Sequence, residues 1–452
     1  MDTYKTQPLF NTVAKGSLIV AGSNIILKIG GIISTVLVLR YLSVYDYGLW
    51  RLLLSIITFA SIVTLPSLDS VIGADLGREL GKGNIGLYKS IFKKTAIYLI
   101  YLGLFAGIIL YIGAPIVKTV TKIDLTLFIQ VLAFSLIASV ILRIYKFVFS
   151  THLKFQYSNG VGVANKVFYI ILLLIFFFYF KLGLMAVVLA YTISLYLSAI
   201  IFVPYFIKTI KYLRFVKSEE YSVFGMIKQH GKWGMVGSYF DDTISSIRPW
   251  IIGYFTSIEV VGIFSAALSI FSEVNNFSPI NSVLGSIVPR ISQEKQKLVF
   301  LLNRSVKYST WISIILFLVF VILTPPLINF VLPNYNLSIP IFLLLLLALF
   351  AMPVNGISTV LLNTYMNQKK LFRSSLLPQI FSIIIFLPFC LFYLGVYGAV
   401  LDRVIVTYLI SYFRYKSSRE IIPEFNFSLI SLVKLDRYDK NTIKRTLRIN
   451  DK

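Results

Sequence analysis

Ten ionisable side chains fall inside stretches of the sequence that are apolar enough to cross a membrane. A charge at the centre of a bilayer costs roughly 2.5–3.5 kcal/mol, whereas each Ile, Val or Phe returns only about 0.3–0.6 kcal/mol. Such charges therefore line a watered cavity, hold a ligand or pair with one another. Cations prevail in the first half and carboxylates in the second: Lys28, Arg51, Asp69 and Lys166, then Asp241, Asp242, Arg248, Glu273, Asp402 and Arg403.

The stretch GKWGMVGSYFDDTISSIRPWIIGY, residues 231–254, carries three of these charges. On a helix its small and polar residues share one stripe, with the apolar residues behind. The stripe consists of Gly231, Gly234, Ser238, Asp241, Asp242, Ser245, Arg248 and Pro249. This pattern predicts a helix at the wall of a water-filled cavity inside a bundle.

Arg248 and the acidic residues suit different chemistry. Arg248 lies two helical turns, about 10 Å, beyond Asp241, so the two pair poorly. A guanidinium can bind a phosphate group in bidentate geometry, and we interpret Arg248 as an anion ligand. Crowded carboxylates can exchange protons or bind Na⁺, which makes Asp241, Asp242 and Glu273 candidates for ion coupling. The alternative is that they only pair with cations of the first half.

Lys28 and Lys166 lie far from the ends of their predicted helices, so neither can easily extend to the membrane surface. Lys28 shares a stripe of small and polar residues with Asn24. We predict that Lys28, Asn24 and Lys166 line a cavity, with buried ion pairing as the alternative for the lysines. Arg51 lies near the outer end of its span, where it either joins this cavity or extends to the interface.

The composition predicts an all-α integral membrane protein. Of the 452 residues, 57% are hydrophobic, against about 45–50% in a soluble chain. The apolar runs predict twelve transmembrane helices. They cover roughly residues 16–39, 48–72, 95–114, 125–149, 158–180, 183–207, 231–255, 260–288, 308–332, 339–362, 374–394 and 396–413.

The net charge of +24 reflects membrane topology rather than binding to nucleic acid. Nearly all Lys and Arg outside the spans fall on alternate loops, which predicts that both termini are cytoplasmic.

The sequence has one cysteine and two histidines, so neither a disulfide framework nor a zinc site is expected. It lacks a nucleotide-binding G-x-x-x-x-G-K-[ST] stretch. Any energy source would then be an H⁺ or Na⁺ gradient or the membrane potential, with no cofactor.

The two halves of the chain resemble each other. Residues 43–56 match residues 257–270 at one constant offset, through Ser43, Gly48 and Ser55 in the first copy. FKLGLMAVVL (180–189) also matches FYLGVYGAVL (392–401). An even number of spans in each copy gives both the same orientation, as in transporters that bind between two parallel halves.

The repeat defines the predicted domains. These are an N-terminal six-helix lobe (1–207), a cytoplasmic linker (208–230), a C-terminal six-helix lobe (231–415) and a basic cytoplasmic tail (416–452). The tail mixes apolar and basic residues, and it either lies on the anionic inner leaflet or is a loosely ordered solvated segment.

The segment VLRYLSVYDYGLWRLLLSI, residues 38–56, with Leu42, Tyr47 and Gly48, resembles the loop after the first helix in the multidrug/oligosaccharidyl-lipid/polysaccharide exporter superfamily. The whole chain is most similar to the polysaccharide repeat-unit flippases of that superfamily, which serve O-antigen, capsule or exopolysaccharide synthesis. Their drug-exporting relatives commonly carry an acidic residue in the first helix, where this chain has Lys28 and no carboxylate.

The resemblance implies a bacterial cytoplasmic-membrane protein that is not an enzyme. It would pass an undecaprenyl-pyrophosphate-linked oligosaccharide to the outer leaflet by alternating access, through a V-shaped cationic cavity between two lobes. The matching cations here are Lys28, Lys166 and Arg248, together with Arg51. The implied partners are the lipid-linked oligosaccharide, membrane lipids, and polysaccharide polymerase and assembly proteins.

Two other functions stay open at the level of sequence. A cation-coupled multidrug antiporter of the same superfamily would use the acidic residues of the second half. A membrane-embedded polysaccharide polymerase or glycosyltransferase would act on the same lipid, although the predicted outer loops, such as SVYDY and YLGVY, are very short.

Overall fold

The computed structural model describes residues 3–64, 69–217, 232–275 and 294–428, together with residues 284, 288, 291, 432, 436 and 439. Every regular element within these residues is helical. In the first part of the chain the helices are α1 (Thr3–Tyr41), α2 (Val44–Ser61), α3 (Asp69–Gly81), α4 (Ile85–Thr121), α5 (Thr126–Thr151), α6 (Phe155–Phe178) and α7 (Leu184–Ile210). They are followed by α8 (Lys232–Phe255), α9 (Ile258–Asn275), α10 (Lys295–Val331), α11 (Ser338–Leu345), α12 (Met352–Thr364), α13 (Gln368–Phe381), α14 (Leu387–Leu394) and α15 (Val396–Arg419).

The predicted spans correspond to these helices. Within the described residues, ten helices are long and apolar enough to cross a membrane, and the number is eleven when the pair Ser338–Phe350 and Met352–Thr364, bent by 47°, is counted as one span. Helix α8 does not meet that standard because of its charges, and counting it gives the twelve helices that the sequence predicts. A π-helical turn, Ser382–Phe386, joins α13 to α14 within one span.

Local sequence explains several helix ends. Ser43 caps α2 by accepting a hydrogen bond from the backbone N–H of Asp46 at 3.0 Å, a typical N-cap contact. Gly183 precedes α7 and Gly395 precedes α15, and both have φ of 55°. Side chains are rarely tolerated at such a φ, so glycine suits both turns. These two glycines occupy equivalent positions in the sequence repeat.

Helices α2 and α9, the two copies of the repeated segment, cross at a pair of glycines. A Cβ atom on Gly48 would lie 2.2 Å from the carbonyl oxygen of Ile258, and one on Gly262 would lie 2.2 Å from that of Val44. The two contacts are equivalent under the repeat, so the crossing is reciprocal. Only glycine allows backbones to approach this closely.

The contacts divide the chain into two compact units. Unit 1 contains residues 1–269 and 328–338, and unit 2 contains residues 270–327 and 339–452. Most of the predicted linker, residues 218–230, lies outside the described residues. The division into two six-helix lobes and a linker stays a prediction.

Unit 2 holds part of the C-terminal tail against its helices. Ile422, Phe425 and Leu432 pack in one buried cluster with residues of α10 and α12. The indole N–H of Trp311 donates to the carbonyl oxygen of Leu432 at 2.8 Å. These residues therefore contact protein, and neither sequence-based interpretation of the tail anticipated this packing.

Candidate functional site

Unit 1 encloses a cavity of about 240 Å³ among α1, α2, α6, α7 and α9. We call it the cation cavity because Arg51 and Lys166 both line it. The other lining residues are Ser34, Thr35, Val38, Tyr47, Trp50, Leu54, Asn165, Tyr169, Tyr191, Ser194 and Ser269. Among the residues described, therefore, two cations and no carboxylate face this space.

Arg51 projects from the middle of α2, and its Nε atom is buried with no hydrogen-bond partner in the described part of the chain. Lys166 projects from α6. Its Nζ donates to Ser34 Oγ at 3.4 Å and lies 5.6 Å from the centre of the Tyr169 ring. A buried guanidinium N–H without an acceptor is costly unless water or a ligand satisfies it. Water or an anion in the cavity would satisfy this N–H group.

The sequence brings these cations together through local features of three helices. A Cβ on Gly30 would lie 2.6 Å from Cγ of Lys166, so glycine lets α1 pack directly on the Lys166 stem. The Ser43 cap fixes the start of α2 two turns before Arg51. The hydroxyls of Tyr47 and Ser269 are hydrogen-bonded at 3.0 Å and tie α2 to α9 beside the cavity.

Neutral polar groups complete the wall. Asn165 Oδ1 is buried without a hydrogen-bond partner among the described residues. Tyr169 and Tyr191 line the cavity, and Tyr191 packs edge-on against Trp50 with the ring centres 5.8 Å apart. Tyrosine, serine and asparagine side chains can all donate to an anion. The hydroxyls of Ser34 and Ser194 already donate to backbone carbonyl oxygens, so the neutral donors for an anion are the Asn165 amide and the hydroxyls of Tyr169 and Tyr191.

The size of the cation cavity limits what it can hold. Since a water molecule occupies about 30 Å³ of the liquid, 240 Å³ is the space of roughly eight waters. Pockets for drug-sized ligands are larger, about 300–1,000 Å³. The cavity fits a phosphate or diphosphate group, and an attached chain would have to extend outside it.

The other predicted anion ligands lie elsewhere. Asn24 and Lys28 are exposed on α1, and Lys28 precedes the cavity residue Thr35 by about two helical turns, or 10 Å. Arg248 on α8 is buried, with 6% of its surface exposed, and it does not line the cation cavity. The structure thus brings Arg51 and Lys166 together and leaves these three outside.

The acidic candidates for ion coupling do not line the cation cavity either. Asp241 and Asp242 on α8 and Glu273 on α9 are all half-buried. The part of the chain that the structure describes contains no group of three or more His, Cys, Asp or Glu side chains able to hold a metal ion.

Asp69 is held by an ion pair. The guanidinium of Arg143 binds its carboxylate through Nε to Oδ2 at 2.8 Å and Nη2 to Oδ1 at 2.6 Å. Arg143 also donates to Thr64 Oγ1 at 2.8 Å. Sequence analysis did not identify this pair, nor the roles of Asn165 and Tyr169. The position of Asn165 next to Lys166, just before the apolar second half of α6, was the available signal for the asparagine.

The described helices have the multi-pass fold of solved membrane transporters. The chain is similar to a multidrug resistance MATE family transporter of the MOP superfamily in an inward-facing conformation, with a TM-score of 0.68, 14% identity, and coverage of 88% of this chain and 95% of that one. It is also similar to a variant of the Vibrio cholerae MATE transporter VcmN, with a TM-score of 0.60, 13% identity, and coverage of 93% and 98%. None of the curated proteins compared with the chain matches it.

A family model described as polysaccharide biosynthesis protein matches residues 37–338. The chain belongs to this family. The predicted all-α, flippase-type membrane fold is therefore confirmed by the family match together with the structural similarities.

Proposed function

We propose that this protein moves undecaprenyl-pyrophosphate-linked oligosaccharide repeat units from the inner to the outer leaflet of a bacterial cytoplasmic membrane by alternating access. Both termini would face the cytoplasm, where the basic loops are expected. The observation that supports this cargo is the cation cavity. Arg51 and Lys166 both line it, and its described lining residues include no carboxylate. Membership of the polysaccharide biosynthesis family supports a role in polysaccharide synthesis.

The chemistry of the cation cavity suits the pyrophosphate of such a cargo. Arginine can bind two phosphate oxygens at once, whereas lysine is a point charge on a flexible side chain that can contact the second phosphate. At 4 Å and an effective dielectric constant near 20, one pair of unit charges interacts by about 4 kcal/mol. The oligosaccharide and the lipid tail would extend outside the cavity, which is too small for them.

The remaining predicted residues have secondary roles in this proposal. Lys28, Asn24 and Arg248 would contact the cargo before or after it occupies the cation cavity. Asp241, Asp242 and Glu273 would couple transport to H⁺ or Na⁺. Polymerase and assembly proteins would receive the sugar on the far side of the membrane.

Substitution of the cavity cations tests the proposal. In a strain that depends on this protein for surface polysaccharide, Arg51→Ala and Lys166→Ala should each lower export roughly 10–100-fold, since a charged hydrogen bond contributes about 1.5–3 kcal/mol. Lipid-linked repeat units should accumulate on the inner leaflet. The matched control is Lys93→Ala, because Lys93 is an exposed lysine of α4. Normal export by the double variant, at wild-type levels of inserted protein, would contradict the proposal.

A multidrug antiporter is the second candidate, and the aromatic lining favours it. Tyr47, Trp50, Tyr169 and Tyr191 could contact a lipophilic cation through their rings, as in other cation–π sites. Arg51 and Lys166 would repel the same cation. Drug resistance conferred by the wild-type protein, and retained or enhanced in Arg51→Ala, would favour the antiporter.

A further inference from the structure

Unit 1 contains a second cavity, with a volume of about 800 Å³, between α3, α5 and the start of α6. We call it the α3–α5 cavity. It is lined by Asp69, Gly73, Gly77, Leu80, Gly81, Arg143, Lys146, Phe147, Ser150, Thr151, Leu153 and Ser158. None of these residues lines the cation cavity. Its volume lies within the range of about 300–1,000 Å³ that is typical of ligand pockets.

The glycines of α3 keep this cavity open. Added Cβ atoms on Gly73 and Gly77 would meet no atom within 4 Å, so close packing does not explain either residue. Each glycine inside a helix costs about 0.8–1.0 kcal/mol relative to alanine. The bare helix surface instead leaves room for a ligand beside α5.

Lys146 is an exposed lysine that adds a positive charge to the wall of this cavity. Its natural partner, Asp69, is already bound by Arg143 through two hydrogen bonds and attracts Lys146 only at longer range. Within the described residues, Nζ of Lys146 has neither a hydrogen bond nor an ion pair. The Arg143–Asp69 pair is neutral overall, so the α3–α5 cavity carries one net positive charge from these three side chains.

The α3–α5 cavity is amphiphilic, and Lys146 lies at a definite depth. Leu80, Phe147 and Leu153 give it apolar walls, while Ser150 adds a hydroxyl near the lysine. Helix α5 ends at Thr151, about 7 Å beyond Lys146 along the axis. A bilayer has a head-group layer of roughly 5–7 Å on each side. Lys146 is therefore expected near the plane of the lipid phosphates, on the side that the basic loops mark as cytoplasmic.

We propose that the α3–α5 cavity binds an anionic phospholipid of the inner leaflet, with its phosphate group at Lys146 and its apolar part along Phe147 and the glycine face of α3. The proposal does not depend on the cargo of the cation cavity. Phosphate chemistry could also come from a pyrophosphate-linked cargo or from free phosphate, and the test must separate these sources.

The test is native mass spectrometry of the purified full-length protein in detergent, titrated with phosphatidylglycerol or with phosphatidylcholine. We expect retention of phosphatidylglycerol in preference to phosphatidylcholine. Lys146→Ala should weaken that retention about tenfold, as for one lost charged hydrogen bond, and Lys146→Arg should restore it. Gly77→Leu should also weaken it by filling the α3–α5 cavity, while Lys93→Ala should bind like the wild type.

Several results would overturn the proposal. Equal retention of the two phospholipids, or wild-type retention by both Lys146→Ala and Gly77→Leu, would show that the α3–α5 cavity is not the lipid site. Displacement of phosphatidylglycerol by millimolar inorganic phosphate would identify a free-anion site instead. Displacement by undecaprenyl pyrophosphate, abolished in Lys146→Ala but not in Arg51→Ala, would assign the α3–α5 cavity to the cargo. Arg51→Ala should leave phospholipid retention unchanged even if the proposed transport function fails.

Discussion

Two clusters of charged residues, the cation cavity of unit 1 and the surroundings of Asp439 in unit 2, differ in how their charges are balanced. In unit 1, Arg51 and Lys166 line a cavity without a carboxylate in its described wall. In unit 2, Asp439 is completely buried and accepts hydrogen bonds from Arg304 at 2.8 Å, from Tyr308 at 3.0 Å and from Lys307. Buried charges are stable when paired and hydrogen-bonded. Carboxylates therefore balance the cations of this cluster in unit 2, whereas the described wall of the cation cavity contains no carboxylate.

Because of this difference, we expect substitutions in the cation cavity to change function and substitutions around Asp439 to change stability. Removing a cavity cation in unit 1 relieves repulsion between like charges and should leave stability nearly unchanged. Removing Asp439 from unit 2 takes away the buried partner of Arg304 and Lys307 and leaves them paired with the more exposed Asp436. Two substitutions and one change of pH distinguish the two regions in this respect.

The largest effect is expected from Asp439→Ala. Loss of the carboxylate leaves Arg304 and Lys307 without their buried partner, which should destabilise unit 2 by about 3 kcal/mol. Thermal unfolding in detergent measures the change. Glu424→Ala is the control because Glu424 is an exposed carboxylate of the same tail. Equal melting temperatures for Asp439→Ala and Glu424→Ala would mean that the ion pairs contribute nothing to stability.

A smaller effect is expected from Ser194→Asp, which adds a carboxylate to the wall of the cation cavity. The new charge should pair with Arg51 or Lys166 and make unit 1 resemble unit 2. We expect unchanged or higher thermal stability and about tenfold weaker binding of inorganic pyrophosphate, since one favourable charge interaction is neutralised. Ser194→Asn, which has the same shape without the charge, is the control. Equal pyrophosphate affinity in the two variants would contradict an electrostatic role for the cavity.

The smallest effect is a pH dependence of unit 2. Burial raises the pKa of Asp439, but hydrogen bonds from Lys307, the Asp436 backbone and Tyr308, with the charge of Arg304, hold that pKa well below its usual value. An acid with a lowered pKa stabilises the fold at all pH values above its unfolded pKa, about 3.9, and loses this contribution below it. Wild-type stability should therefore fall more steeply than that of Asp439→Asn on acidification below about pH 4. Parallel pH profiles would show that Asp439 is not held in this way.

The sequence predicted the helices well because length and apolarity determine a membrane span locally. It also predicted Arg51 and Lys166 as anion ligands, which stays a prediction, and both residues line one cavity. It could not show that they share a cavity while Lys28 lies outside, because that depends on how α1 packs on α6 at Gly30. Packing between two helices of this kind is hard to predict from a single sequence.

Long-range ion pairs were equally hidden from sequence reasoning. Asp69 and Arg143 are separated by 74 positions, and Arg304 and Asp439 by 135. No periodicity in the sequence links such residues. Their charges alone predicted either functional residues or solvent-exposed residues in loops. The tail is the clearest case, because Asp436 and Asp439 lie among basic residues that dominate the composition.

The glycine crossing of α2 and α9 has a consequence for the ancestry of the chain. Each helix offers the carbonyl of one residue, Val44 or Ile258, to the glycine of the other. In a homodimer of half-length subunits, the glycine of each subunit would meet the equivalent carbonyl of the other subunit across a two-fold axis. A single gene could therefore have encoded both sides of this contact before duplication and fusion joined them in one polypeptide.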